Sequence, residues 1–136
     1  MMKKATQRIR YVRTEDGVQL AWAEAGTGPV LIKAANWLTH LEYEWESLVW
    51  RRWIRFFSEH FRFVRHDERG CGITDLNVGN LSLERRGEDL EAVVAAADLR
   101  EPFALLGISQ GAGLHCPRRT AIMIQVTDPQ LASVAD

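Results

Sequence analysis

The chain has 136 residues, 46% hydrophobic and 26% charged, with 17 basic and 18 acidic side chains. That is room for one domain, and the composition excludes disordered and collagenous classes. A formal net charge of −1 gives no drive toward nucleic acid or an anionic membrane, and Cys71 and Cys116 are too few for a disulfide framework. No apolar run reaches the roughly 20 residues of a membrane span. No apolar stretch follows the basic start Met1-Met2-Lys3-Lys4, so the expectation is a cytoplasmic protein without a secretory signal.

Ile9 to Thr14 reads as a strand with Arg8, Arg10 and Arg13 toward water. Glu15-Asp16-Gly17 is a hairpin turn, because Asp-Gly tolerates the positive φ angles such turns need. Val18, Leu20 and Trp22 then alternate with Gln19 and Ala21, the period of a half-buried strand. Gly26-Thr27-Gly28-Pro29 ends it, and Val30-Leu31-Ile32 opens a short strand of the type buried on both faces.

From Glu44 to His60 the period lengthens. Trp45, Leu48, Val49, Trp53, Phe56 and Phe57 recur at three- and four-residue steps, which predicts one amphipathic helix with that face on the core. Arg51, Arg52 and Arg55 fall mostly elsewhere on the wheel, and a membrane-surface or partner-binding helix is the alternative. Phe61 to Arg65 follows as a strand. Ser82 caps a second helix running to Ala97, with Glu84 at its positive end and Leu83, Leu90, Val93, Val94 and Ala97 as its apolar stripe. After Pro102, Phe103 to Ile108 reads as a fully buried strand. A hairpin followed by strand–helix–strand–helix–strand defines an α/β class with a largely parallel sheet flanked by helices.

The strongest chemical signal is Gly107-Ile108-Ser109-Gln110-Gly111, a G-x-S-x-G directly after a buried strand. A serine on so sharp a strand-to-helix turn needs nearly side-chain-free neighbours two residues away on each side, here Gly107 and Gly111. The turn lifts the Ser109 hydroxyl above the sheet and aims the Gln110 N–H at a developing oxyanion. No histidine or cysteine spacing fits a metal, since His60 and His66 flank a strand and His115-Cys116 is a single pair. The Gly26–Gly28 turn lacks the context for cradling phosphate, so neither metal nor cofactor is expected. Arg51-Arg52 and Arg118-Arg119 are too short to argue nucleic-acid binding.

Over roughly residues 7 to 113 the chain resembles the N-terminal half of an α/β-hydrolase-fold protein. Three stretches carry the resemblance: the elbow Gly107–Gly111; Asp67-Glu68-Arg69-Gly70-Cys71-Gly72-Ile73-Thr74-Asp75, similar to the D-x-R-G-x-G-x-S/T after the family's fourth strand; and Ala34-Ala35-Asn36-Trp37-Leu38-Thr39-His40 after the third. The wording from Asn36 to Ser47 resembles a bacterial subgroup fused to LuxR-type helix-turn-helix regulators or nucleotide cyclases. The resemblance implies Ser109 as nucleophile and the backbone N–H groups of Gln110 and Trp37 as oxyanion donors, although Ala35 and Asn36 stand where His and Gly are common. It makes the Asp67–Asp75 loop structural, with Arg69 paired to a carboxylate.

The family's triad runs Ser, then Asp or Glu, then His. The 27 residues after Ser109 contain one histidine, His115, six positions on, and the aspartates Asp128 and Asp136. Pro117 falls where the family has a helix, so the resemblance stops near Gly113 and a truncated fold is the expectation, with residues 1–113 as its N-terminal part. Residues 114–136 are an atypical tail in which Ala121–Val126 is either an added strand or disordered. Three functions stay open: a serine hydrolase acting on a small ester-like substrate with little turnover in this chain; a ligand-sensing regulatory domain; and a truncated remnant without activity. In the last case a bare apolar edge beside Phe103–Ile108 would favour self-association.

Overall fold

Asp16-Gly17 sets the first pairing of the sheet. Gly17 takes φ +85°, and the turn joins β1 (Arg8–Arg13) to β2 (Gln19–Ala25) in antiparallel register, with Val12 opposite Leu20 and Arg10 opposite Trp22. The structure, a computed structural model, describes residues 6–34, 39–98, 103–108 and 121–126. After the hairpin come β3 (Val30–Lys33), α1 (Leu41–Glu46), α2 (Arg51–His60), β4 (Arg62–His66), α3 (Leu83–Ala96), β5 (Phe103–Ile108) and β6 (Ala121–Val126).

The strands form one mixed sheet in the order β1-β2-β4-β3-β5-β6. β2 meets β4 antiparallel, and the β4-β3, β3-β5 and β5-β6 pairs are parallel. The connections β3 to β4 and β4 to β5 run in opposite directions across the sheet, so connections of one hand must lie on opposite faces. Side-chain alternation shows that they do. Leu31, Phe63 and Leu106 point to α2 and pack with Ile54, while Ile32, Val64 and Leu105 point to α3 and pack with Leu90, Val93, Val94 and Ala97.

Three sequence expectations need correction. β2 is buried on both faces rather than half-buried, because Leu41 of α1 and Ile73 cover Ala21 and Ala23 while Leu20 and Trp22 face the α3 side. The predicted helix from Glu44 to His60 is two helices. Ser47 takes extended backbone (φ −62°, ψ 137°), its hydroxyl accepts from the N–H groups of Val49 and Trp50, and its carbonyl accepts from Arg51 N–H to start α2. A serine that offers the backbone such alternative bonds interrupts a helix readily. The break changes the phase, so Ile54 and Ser58 are buried and Trp50, Phe57 and Phe61 pack beside them, whereas Leu48 is 75% and Phe56 52% exposed. In α3 the Ser82 hydroxyl accepts from Arg85 N–H as expected, but Leu83 is exposed and Asp89 shares the buried face with Leu90, Val93 and Val94.

Asp89 is buried because it holds Arg69 in the loop after β4. The Arg69 guanidinium is fully covered and uses all five of its N–H groups. Two go to the Asp89 carboxylate at 2.7 and 2.9 Å, two to Asp16 of the hairpin turn at 2.9 and 3.1 Å, and one to the Asn80 carbonyl at 2.9 Å. The bonds from Asp89 hold the guanidinium well above its ordinary pKa, and those from Arg69 hold the Asp16 carboxyl far below the usual carboxylate range. Removing one partner of a buried pair strands the other charge. Asp89→Ala is therefore expected to lower the unfolding free energy by about 3–5 kcal/mol, read from urea titration, with Asp89→Asn losing less. An unchanged midpoint for Asp89→Ala would show that Arg69 does not depend on it.

Candidate active site

β3, β4, β5 and β6 are parallel, so their C-terminal ends share one edge, where ligands of open α/β sheets bind. The register across that edge is definite. Lys33 of β3 pairs with Leu106 of β5, and the next residue, Ala34, donates its N–H to the Leu106 carbonyl at 2.9 Å. Trp37 lies three residues beyond Ala34 in the chain and Ser109 three beyond Leu106, and the strands that precede them are neighbouring, parallel and hydrogen-bonded. Gly107 is buried near the end of β5. Ser109, Gln110, Gly111 and Trp37, with Ala35, Asn36, His115 and Pro117, lie outside the described residues, as do residues 109–120 and 127–136 more generally.

Under this edge the structure gathers charged groups that the sequence reading passed over. Lys33 is buried, with Nζ 5.4 Å from the centre of the Trp50 ring. Arg65 of β4 is buried on the same side, donating to the Gln7 side chain (2.6 Å) and the Leu41 carbonyl (3.2 Å), with Nη1 3.8 Å from the Glu44 carboxylate of α1. Burial pushes the Lys33 amine below its ordinary pKa, against the opposing pull of Glu44. The signal for these groups lay in the strand endings: Lys33 follows Val30-Leu31-Ile32, and Arg65-His66-Asp67 closes an otherwise apolar strand.

Asp67 shapes the loop that follows. One carboxylate oxygen accepts from the N–H groups of Leu41 (3.1 Å) and Ile73 (3.0 Å), tying the start of α1 to the glycine loop. Burial raises its pKa, and those two bonds oppose the rise. Gly72 adopts φ +55°, and a Cβ there would run into this carboxylate, which accounts for the second glycine of the loop. Thr74 donates its hydroxyl to the Asp67 carbonyl (2.9 Å) and accepts from Ala21 N–H (2.8 Å), anchoring the loop to β2. The resemblance assigned Arg69 a carboxylate partner, and it has two.

Among the described residues no cluster of three or more His, Cys, Asp or Glu side chains is placed to hold a metal, and no helix is long and apolar enough to cross a membrane. His60 is exposed at the end of α2, whereas His66 is buried with Nδ1 unbonded within the structure.

No protein-family model and no curated protein matches the chain. Solved structures do. A hydrolase from Pseudomonas aeruginosa aligns with a TM-score of 0.71 and 28% identity over 87% of this chain and 45% of its own. An esterase from Rhodococcus sp. gives 0.68 and 23% over 88% and 46%. An epoxide hydrolase from Vigna radiata gives 0.69 and 19% over 90% and 40%. The chain therefore spans less than half the length of each of these three structures. The sheet order and these likenesses define the fold: it is the α/β-hydrolase fold, in part, and its structural neighbours are hydrolases.

His66 makes the edge sensitive to acid. Burial, reinforced by the charge of Lys33, pushes its imidazole from the ordinary 6.5 down to about 3. Below the ordinary value the unfolded chain takes up a proton that the folded chain refuses, so folding stability falls as pH drops from about 6.5 toward 3. At most the slope is about 1.4 kcal/mol per pH unit. Urea titrations at pH 6.5 and 4.5, above the main carboxylate range, are expected to show His66→Gln losing clearly less stability than the native chain over that interval. Equal losses would show that His66 is not the titrating group.

Proposed function

We propose that the protein is a serine hydrolase of small ester-like acyl substrates, with Ser109 as nucleophile. The observation that carries this reading is the Ala34–Leu106 register. It starts the two segments bearing Trp37 and Ser109 from adjacent strand ends, the relation that a nucleophile and an oxyanion donor from different loops require. The G-x-S-x-G order around Ser109, a parallel strand ahead of it and the 28%-identical hydrolase support the same reading.

In this reading the Ser109 Oγ attacks the substrate carbonyl carbon. The backbone N–H groups of Gln110 and Trp37 donate to the oxyanion, the alkoxide leaves with a proton as the alcohol, and water then cleaves the acyl-serine to the acid.

Deprotonating the serine calls for a histidine base, and His115, six residues on, is the one histidine in residues 110–136. Loss of the histidine from a triad costs on the order of a million-fold in kcat, leaving about a thousand-fold or more over water from the oxyanion donors and binding. The 136-residue polypeptide alone is accordingly expected to turn over weakly. A fluorophosphonate probe is expected to label it slowly, at Ser109, with labelling abolished in Ser109→Ala. Labelling that persists in Ser109→Ala would remove Ser109 from its role. Labelling as fast as that of a working serine hydrolase would overturn the weak-turnover reading and leave the nucleophile in place.

A further inference from the structure

Two buried charges at the end of β4 close on the main chain of one residue. Asp67 accepts from the Leu41 N–H at 3.1 Å. Arg65 donates to the Leu41 carbonyl at 3.2 Å, and the Gln7 side chain donates to it as well. Leu41 is the first residue of α1, whose opening N–H groups have no partner inside the helix. Capping alone does not call for these ions, because His40 already caps α1: its Nδ1 accepts from Tyr43 N–H, and its own N–H donates to Glu44. Taking Arg65 and Asp67 out of water costs desolvation that the attraction only partly offsets. What the two gain is a fixed place for the Leu41 backbone.

The residues before Leu41 give that place a use. Thr39 is held too, buried and accepting at Oγ1 from the Glu68 N–H at 3.1 Å. On the other side Ala34 donates its N–H to the Leu106 carbonyl. Residues 35–38, which include Trp37, are thus preceded by a residue bonded to β5 and followed by residues bonded to the chain after β4. At most about 3.6 Å of extended chain per residue leaves so short a segment little slack, so a shift at one end is passed on to the middle.

We infer that Asp67 is a positioning residue for the oxyanion donor: it fixes Leu41, and through residues 39–41 it sets where the Trp37 N–H stands. The inference rests on the reading of Ser109 as nucleophile and Trp37 as donor. Oxyanion stabilisation is sharply geometric, and a misplacement of about 1 Å costs on the order of a hundredfold in rate. Asp67 uses one oxygen for both Leu41 and Ile73, so α1 and the glycine loop take their position from a single atom.

Fluorophosphonate labelling of the full 136-residue chain tests this, because the phosphoryl oxygen of the probe takes the oxyanion position as Ser109 Oγ displaces fluoride. A probe concentration series separates the maximal rate from the half-saturating concentration. Asp67→Ala is expected to lower the maximal rate about tenfold or more at an unchanged half-saturating concentration. Asp67→Asn keeps an oxygen for both N–H groups and is expected to restore most of the rate. Leu41→Pro removes the N–H and leaves Asp67 in place. Proline suits a first helical position, and His40 ahead of it is already extended (φ −154°, ψ 108°). This variant carries the test if circular dichroism shows Asp67→Ala to be unfolded. Asp89→Asn loosens the same loop at Arg69 instead and is expected to keep the native maximal rate. A native maximal rate in Leu41→Pro or in folded Asp67→Ala overturns the inference and leaves Ser109 in its role. So does Asp67→Asn as slow as Asp67→Ala, Asp89→Asn as slow as either, or a loss confined to the half-saturating concentration. Labelling that persists in Ser109→Ala removes the hydrolase reading itself, and this inference with it.

Discussion

The Arg69 guanidinium is the joint on which the far side of the sheet depends. Its five bonds gather three segments distant in sequence: the β1–β2 turn through Asp16, the stretch before α3 through Asn80, and α3 itself through Asp89. Burying an ion pair costs desolvation that the attraction only partly offsets, so a pair of this kind adds more to specificity than to net stability. What it specifies is the path of the loop after β4. Two residues earlier Asp67 ties the same loop to the start of α1, so the hairpin, both helical layers and the strand ends are referred to one short stretch of chain.

Much of this architecture was legible in the residues. The Asp-Gly turn, the alternation in β2, the apolar runs of β3 and β5 and the serine cap of α3 are local signals with local causes, and the corresponding elements are present. What could not be read was set by partners far along the chain. Ala21 and Ala23 look like the wet positions of an alternating strand until Leu41 and Ile73 cover them. Ser47 breaks the long helix through bonds that period counting does not see. Asp89 looks like one more charge on the polar face of α3 until Arg69, twenty residues earlier, needs it. The G-x-S-x-G signal is the clearest in the sequence, but the structure describes the strand leading to it and not Ser109 itself.

The two faces of the sheet are filled by different chemistry. The α3 side is mainly aliphatic around Ile32, Val64, Leu90 and Val93, with Trp22 and Phe103 at its margins. The α2 side is aromatic and, toward the strand ends, charged, with Trp50 serving both characters: it packs with Leu31 and Phe63 and stands beside the Lys33 amine. Lys33, Arg65 and Glu44 are gathered on this side, toward the strand ends. Among the described residues, the opposite layer carries buried charge only where Arg69 meets Asp89 at its margin.

The insertion of β4 between β2 and β3 also dictates an order of assembly. β2 and β3 are consecutive in the chain but never touch in the sheet, because residues 62–66 lie between them. An emerging polypeptide can close the β1–β2 hairpin at once, yet it must hold β3 apart until more than thirty further residues have been made. Only then does β4 enter the gap, bridging an antiparallel neighbour on one side and a parallel neighbour on the other. Pairings between strands so separated in sequence are slow to form. The arginines along β1 lie on the other strand of the hairpin, whose outer edge no described strand covers, and there they discourage pairing with other chains.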